Sequence, residues 1–367
     1  MQETDAIINA RREMEVCNAC RYCEGFCAVF PAVELRREFS AGDLSYLANL
    51  CHGCRGCYYA CQYSPPHEWG INVPKALAEV RAESYAEYAW PKPLAAVFER
   101  NGAVVSLVAA LGIALVLFLS MIANANFWVA QGTVPESFYN IIPLWAMQIV
   151  GVGTFGFSLF ALAMGARNFW RDAGPQQKIG PTAVAIALGD VLTLKNLGGA
   201  GNGCNDNSEA FSMRRRYLHH AMFYGFMLCF AATTTGFIYH SFLGWPAPYP
   251  LISVPVVLGT VGGILMVIGT IGLIAMKFVD DPMPNVRRLL GGDIALLMLL
   301  AMIAVTGLVL LAVRATGAMG LAMAIHLGFI LAFFVILPYS KMVHGVYRSA
   351  ALLRRAIERN MKPLGGE

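Results

Sequence analysis

From Arg100 onward the chain carries six long apolar stretches, at about 103–123, 142–166, 217–243, 251–276, 294–313 and 318–340. Each approaches the roughly 20 residues needed to cross a hydrocarbon core. The competing reading is a set of buried helices in a large soluble core. Six spans almost free of Lys, Arg, Asp and Glu argue against it. Composition agrees: 57% of residues are hydrophobic and 14% charged, where soluble domains have about 25% charged. The expectation is a multi-pass membrane protein with a smaller polar head.

The loops predict an orientation. Residues 1–100 hold ten Lys and Arg, and the loop at 167–216 holds seven: Arg167, Arg171, Lys178, Lys195, Arg214, Arg215 and Arg216. The loops at 124–141 and 244–250 hold none, and the last outer loop holds only Arg314. Positive residues favour the cytoplasm, so the head and both termini are expected there, in a bacterial inner membrane. Trp128, Tyr139, Trp145, Trp245 and Tyr249 then fall near the outer edge. Arg214–Arg216 reads as a positive-inside anchor, or as a dock for an acidic partner. No basic–aromatic run suggests nucleic-acid binding. The organisation reads as a head (1–100), a membrane domain (101–345) with an ordered loop at 167–216, and a basic tail (346–367).

Ten cysteines are present, eight of them before residue 62. The opening MQETDAIINARREMEV lacks an apolar signal region. The head is therefore expected in the reducing cytosol, where clustered cysteines bind metal. They form two runs, Cys17-x2-Cys20-x2-Cys23-x3-Cys27 and Cys51-x2-Cys54-x2-Cys57-x3-Cys61. This is the spacing of a bacterial two-cluster ferredoxin, in which the fourth cysteine of each run ligates the other cluster. The expected sets are Cys17, Cys20, Cys23 with Cys61, and Cys51, Cys54, Cys57 with Cys27. Structural zinc pairs two C-x-x-C arms, and a third cysteine at the same spacing, twice over, favours [4Fe–4S] clusters. The proline that usually follows the fourth cysteine is replaced by Ala28 and Gln62, which leaves the ligands intact. Clusters move single electrons, and no flavin or nicotinamide fingerprint is visible. A two-electron donor must then lie on another protein.

Of seven histidines, His52 and His67 lie in the head and read as structural. His219, His220, His240, His326 and His344 fall in or at the ends of spans 3 and 6, which run antiparallel. Ionisable residues in spans are candidates for function. His219 or His220 lies level with His344 on the inner side, and His240 with His326 on the outer side. His326 and His344 are 18 apart, in phase on one continuous helix and about 27 Å apart along it. Phase favours His219 over His220. Two b-type haems with paired His ligands fit this pattern, which resembles the cytochrome b subunits of nitrate-reductase type. A single haem on one pair, or interfacial histidines at helix ends, are the alternatives. Cys204 and Cys229 read as structural.

The cysteine runs, HEWGINVPKALAEVR at 67–81 and LKNLGGAGNGCNDNSEAFSMRRRYLHHAMFYGFMLCF at 194–230 together resemble the tricarballylate/citrate utilisation protein B family. The resemblance covers nearly the whole chain. It implies iron–sulfur clusters, haem, and a flavin-dependent dehydrogenase partner that oxidises tricarballylate to cis-aconitate. This subunit would reoxidise that flavin and reduce membrane quinone, an activity it would have only when joined to its partner. The expected fold is mainly α: a ferredoxin-like two-cluster helical head on a six-helix transmembrane bundle of cytochrome b type. Rivals are a redox-gated transporter and a cluster-bearing membrane regulator. The spans are expected to lack the buried Asp, Glu, Lys or Arg that coupled transport usually needs, and a regulator would not need matched His pairs.

Overall fold

The computed structural model describes residues 3–174, 178–199 and 201–359. These form thirteen α-helices, four short 3-10 turns and one two-stranded ribbon. In the head, α1 is Asp5–Cys20, α2 Phe30–Val33, α3 Ala41–Leu50, α4 Gly56–Tyr59 and α5 Val73–Tyr88. In the membrane part, α6 is Asn101–Ala123, α7 Leu144–Ala173, α9 Arg214–Leu243, α10 Val254–Val279, α11 Leu290–Val313 and α12 Met319–Ile336. Two shorter helices complete the set: α8, Pro181–Leu192, and α13, Val343–Glu358. The ribbon pairs β1, Cys204–Asn205, with β2, Phe211–Ser212.

The head helices begin where side chains can satisfy free N–H groups. Thr4 accepts from the Ile7 N–H at 3.3 Å, Ser40 from Asp43 at 3.1 Å and Asn72 from Lys75 at 3.3 Å. The first helix runs through Cys17 and ends on Cys20, so it carries two cysteines of the first run. Ile7, Leu44, Leu47 and Leu77 are wholly excluded from solvent in the core between α1, α3 and α5. Each such side chain contributes about 1.5–3 kcal/mol.

Among the described residues six helices are long and apolar enough to cross a membrane. Helices close all their backbone hydrogen bonds internally, which lipid requires. Close approach of backbones holds pairs of them together. A side chain on Gly225 of α9 would strike the backbone of Gly262 and Met266 on α10, and one on Gly328 of α12 would strike Ile113 of α6. Small residues at such crossings are how membrane helices associate. Between α7, α9 and α12 lies a layer of rings, with Phe155–Phe230 at 5.5 Å, Phe155–Phe334 at 5.0 Å and Phe226–Phe333 at 5.7 Å between centroids.

Two expectations need correction. The stretch 326–344 is not one helix. Pro338 sits in a 3-10 turn at Leu337–Tyr339, the chain breaks at Ser340, and His344 rides on the separate α13. Proline lacks the N–H that would continue the helix, so phase counted across it is void. Nor is the segment after residue 346 a simple tail. Val343, Tyr347, Ala351 and Leu352 of α13 are buried in the head core beside Phe169 and Ala173 of α7. Lys362, the last basic residue counted there, lies outside the described residues.

Candidate functional site

The two cysteine runs fold alike. The residue after the second cysteine of each run, Arg21 and Arg55, takes a left-handed backbone, with φ of 56° and 65°. That conformation is uncommon for a non-glycine residue. In each run it reverses the chain between the second and third cysteines. The Arg21 N–H caps α1 on the Cys17 carbonyl, and Arg55 opens α4.

The fourth cysteines cross over. Cys17, Cys20, Cys23 and Cys61 line one cavity, while Cys27, Cys51, Cys54 and Cys57 line a second. Cys57 borders both. Burial first, then its neighbours Cys54 and Cys51, pushes the Cys27 thiol well up. Burial, and then Cys61 and Cys20, pushes Cys23 up to about 12. Thiols gathered this way stay protonated unless a metal centre supplies compensating charge. Among the described residues no three His, Cys, Asp or Glu side chains converge on a point as one ion requires.

The second set is clamped from the membrane side. The Asn205 N–H donates to the Cys54 carbonyl at 2.9 Å. Arg55 pairs with Asp280 at 2.7 Å and bonds the Asp206 carbonyl. Arg215 donates to the Gly53 carbonyl at 2.8 Å and pairs with Asp206 and Asp280. The described residues 201–207 form a loop against these contacts. It covers the second set and carries buried Cys204, whose Sγ donates to the Leu197 carbonyl.

A third cavity, of about 550 Å3, runs from His52 and Gly53 of the second cysteine loop to Leu296 and Leu300 of α11. His219 and His344 both line it. Their rings face each other at 6.2 Å between centroids with planes 84° apart. Two metal–imidazole bonds of about 2 Å each, placed end to end, put ring centres about 6 Å apart. His344 Nδ1 donates to the Lys341 carbonyl at 2.5 Å, which leaves Nε2 with the free lone pair. Burial, and next Arg348, hold His344 neutral, well below its ordinary value. Among the described residues Nδ1 of His219 is buried without a partner. These residues fit a haem iron.

The other histidines are engaged elsewhere. His220 contacts the Thr193 carbonyl at 3.0 Å and packs on Tyr224. On the far side, His240 lies 3.2 Å from the Tyr139 hydroxyl and His326 lies 3.0 Å from the Thr306 hydroxyl. Among the described residues no ring contact joins His240 to His326. His52 Nδ1 donates to the Leu50 carbonyl at 2.7 Å, and the Trp69 N–H donates to His67.

Sequence reasoning missed one cluster. The spans do contain buried charge: Asp293, 8% exposed, is held between Lys277 and Lys341 at 2.5 Å each, on the wall of the same cavity. Counting apolar residues ended spans 4 and 5 short of these charges, although both helices continue through them. The lone acid in LLGGDIALL was the available signal.

Cysteine sets on a helical head, stacked on a membrane bundle, define an iron–sulfur electron-transfer protein of the membrane. The comparisons narrow this. Residues 96–364 match the family described as citrate utilization protein B, and residues 10–87 match its Fer4-like domain. Citrate utilization protein B of Escherichia coli is 46% identical over 359 residues, covering 97% of this chain and 93% of that protein. The chain belongs to the citrate utilization protein B family. No solved structure matches it.

Proposed function

We propose that this chain is the membrane electron-transfer partner of a flavin-dependent dehydrogenase that oxidises tricarballylate or a related carboxylate in citrate utilisation. When bound, two [4Fe–4S] clusters and haem b supply one-electron carriage between reduced flavin on that partner and quinone in the bilayer. Cys17, Cys20, Cys23 and Cys61 hold one cluster, and Cys27, Cys51, Cys54 and Cys57 the other. His219 and His344 hold the haem. The reading assigns one haem to this inner pair, while His240 and His326 keep Tyr139 and Thr306 as neighbours.

One observation carries the reading: a single cavity touches both the second cysteine loop and the facing His219–His344 pair. The first cysteine cavity opens beside Tyr22, which is 66% exposed, and so is the side a soluble donor can reach. The long cavity has an apolar wall at Leu296, Leu297 and Leu300 that suits a haem body, and Lys277 and Lys341 flank Asp293 at its margin near Leu273. A quinone head arriving at that margin from lipid meets lysine ammonium groups that can pass it a proton. The Lys- and Arg-rich loops lie at the head end, which supports a head on the cytoplasmic face of a bacterial inner membrane.

Anaerobic purification tests this. The expected result is a brown protein with iron and sulfide for two clusters and one haem by pyridine haemochrome. A protein with clusters and no haem would reduce the reading to a cluster-bearing membrane regulator. A colourless protein would end it.

A further inference from the structure

Two arginines line the cavity beside the histidine pair with no carboxylate to meet them. Arg81 of α5 donates from Nη1 to the carbonyls of Ala48 at 3.0 Å and Cys51 at 2.8 Å. Arg348 of α13 donates from Nη2 to the Cys51 carbonyl at 2.9 Å and from Nε to Asn49 at 3.3 Å. The neighbouring cations are matched: Arg55 and Arg215 share Asp280, and Lys277 and Lys341 share Asp293. Among the described residues neither Arg81 nor Arg348 has an acidic partner. Two like charges close together and away from water are costly unless anions answer them. Each guanidinium carries five N–H donors, more than these carbonyls use.

From this geometry we infer that Arg81 and Arg348 form a seat for two carboxylates, filled by the haem propionates. This rests on the haem assignment to His219 and His344. The cavity also favours that source over a free di- or tricarboxylate. It continues from the arginines along Met222, Leu296, Leu297 and Leu300. A ligand with an apolar body and two acid groups matches both ends, and a free polycarboxylate matches one. Arginine presents its donors in the planar fork that suits a carboxylate. Because both guanidiniums also hold the Cys51 carbonyl, a carboxylate seated there is joined by two hydrogen bonds to a residue of the second cysteine set.

The test uses full-length protein made in haem-deficient cells and loaded in detergent with haem or with haem dimethyl ester, whose acid groups are capped. Soret absorbance reads loading, and cluster electron paramagnetic resonance reports folding. Wild type is expected to bind the ester about tenfold or more weakly than haem, the scale of charge-assisted hydrogen bonds. The R81Q/R348Q double variant should bind both at the ester's level, and R348K should recover part of the difference. Equal affinity of wild type for haem and ester overturns the seat. Citrate that binds equally well to haem-loaded and haem-free protein overturns the propionate assignment, because the seat would then be open with haem in place. A wild type that develops no Soret band, with its cluster signals intact, overturns the haem reading itself and this inference with it.

Discussion

Arg36, between the two cysteine runs, and Glu358, near the end of the described chain, form a buried ion pair at 2.5 Å. The Tyr46 hydroxyl donates to the other Glu358 oxygen at 2.9 Å, and Arg354 lies over the Tyr46 ring at 4.2 Å. The segment between the cysteine runs and the last described helix thus close one polar knot. Removing one partner of a buried pair leaves an uncompensated charge, at about 3–5 kcal/mol. Glu358→Ala is predicted to lower the temperature at which cluster absorbance is lost by several degrees. An unchanged transition would show that α13 is only peripheral to the head.

The crossed cysteine sets make an equivalence prediction. Cys17→Ala and Cys61→Ala should remove the same electron paramagnetic resonance signal, and Cys27→Ala and Cys51→Ala the other. If Cys27→Ala instead matched Cys17→Ala, each run would build its own cluster and the crossover would be wrong.

The histidines divide in the same way. His219→Ala and His344→Ala should each abolish haem, measured as pyridine haemochrome per chain. His220→Ala should keep it, losing the contacts to Thr193 and Tyr224. Full haem content in His344→Ala would sink the inner pair.

A pH dependence follows from Glu13, which is 3% exposed under the first cysteine set. Burial raises its carboxyl to about 7, against a smaller opposing pull from the Asn72 N–H. A folded-state value above the unfolded one stabilises the protonated form. That stabilisation is complete below about 4.5 and is lost as pH rises through about 7. The head should therefore melt at a lower temperature at pH 8 than at pH 6. Glu13→Gln should flatten this dependence, and an equally steep profile in that variant would assign it to another group.

Asp293→Asn separates quinone chemistry from cofactor loading. Haem and cluster content should stay near wild type, and quinone reduction by dithionite-reduced protein should fall about tenfold or more, the lower range for disturbing a proton-transfer group, because Lys277 and Lys341 lose the carboxylate that positions them. Unimpaired turnover would place quinone elsewhere.

The parts legible in the sequence were those set by local or solvent rules. The cysteine spacing is enforced by two matching left-handed turns at Arg21 and Arg55, so pattern and geometry coincide. The six spans were legible because lipid selects apolar residues, although their ends were not. Lys277 and Asp293 sit within helices but neutralise one another across two of them, which no single stretch reveals. The path of His344 was hidden because apolar character persists from α12 through Leu337–Tyr339 while the helix does not. The pairing of His219 with His344 itself follows from α13 turning back onto the head, a long-range event that periodicity does not encode.

The return of α13 has a consequence for biogenesis. Amino-terminal domains commonly fold while the ribosome is still at work. Here Val343, Tyr347 and Leu352 complete a hydrophobic interior begun by Ile7 and Leu44. The first hundred residues must wait, unfinished, until every later segment has been translated and inserted, so iron delivery to this head is expected to be a late, post-translational event.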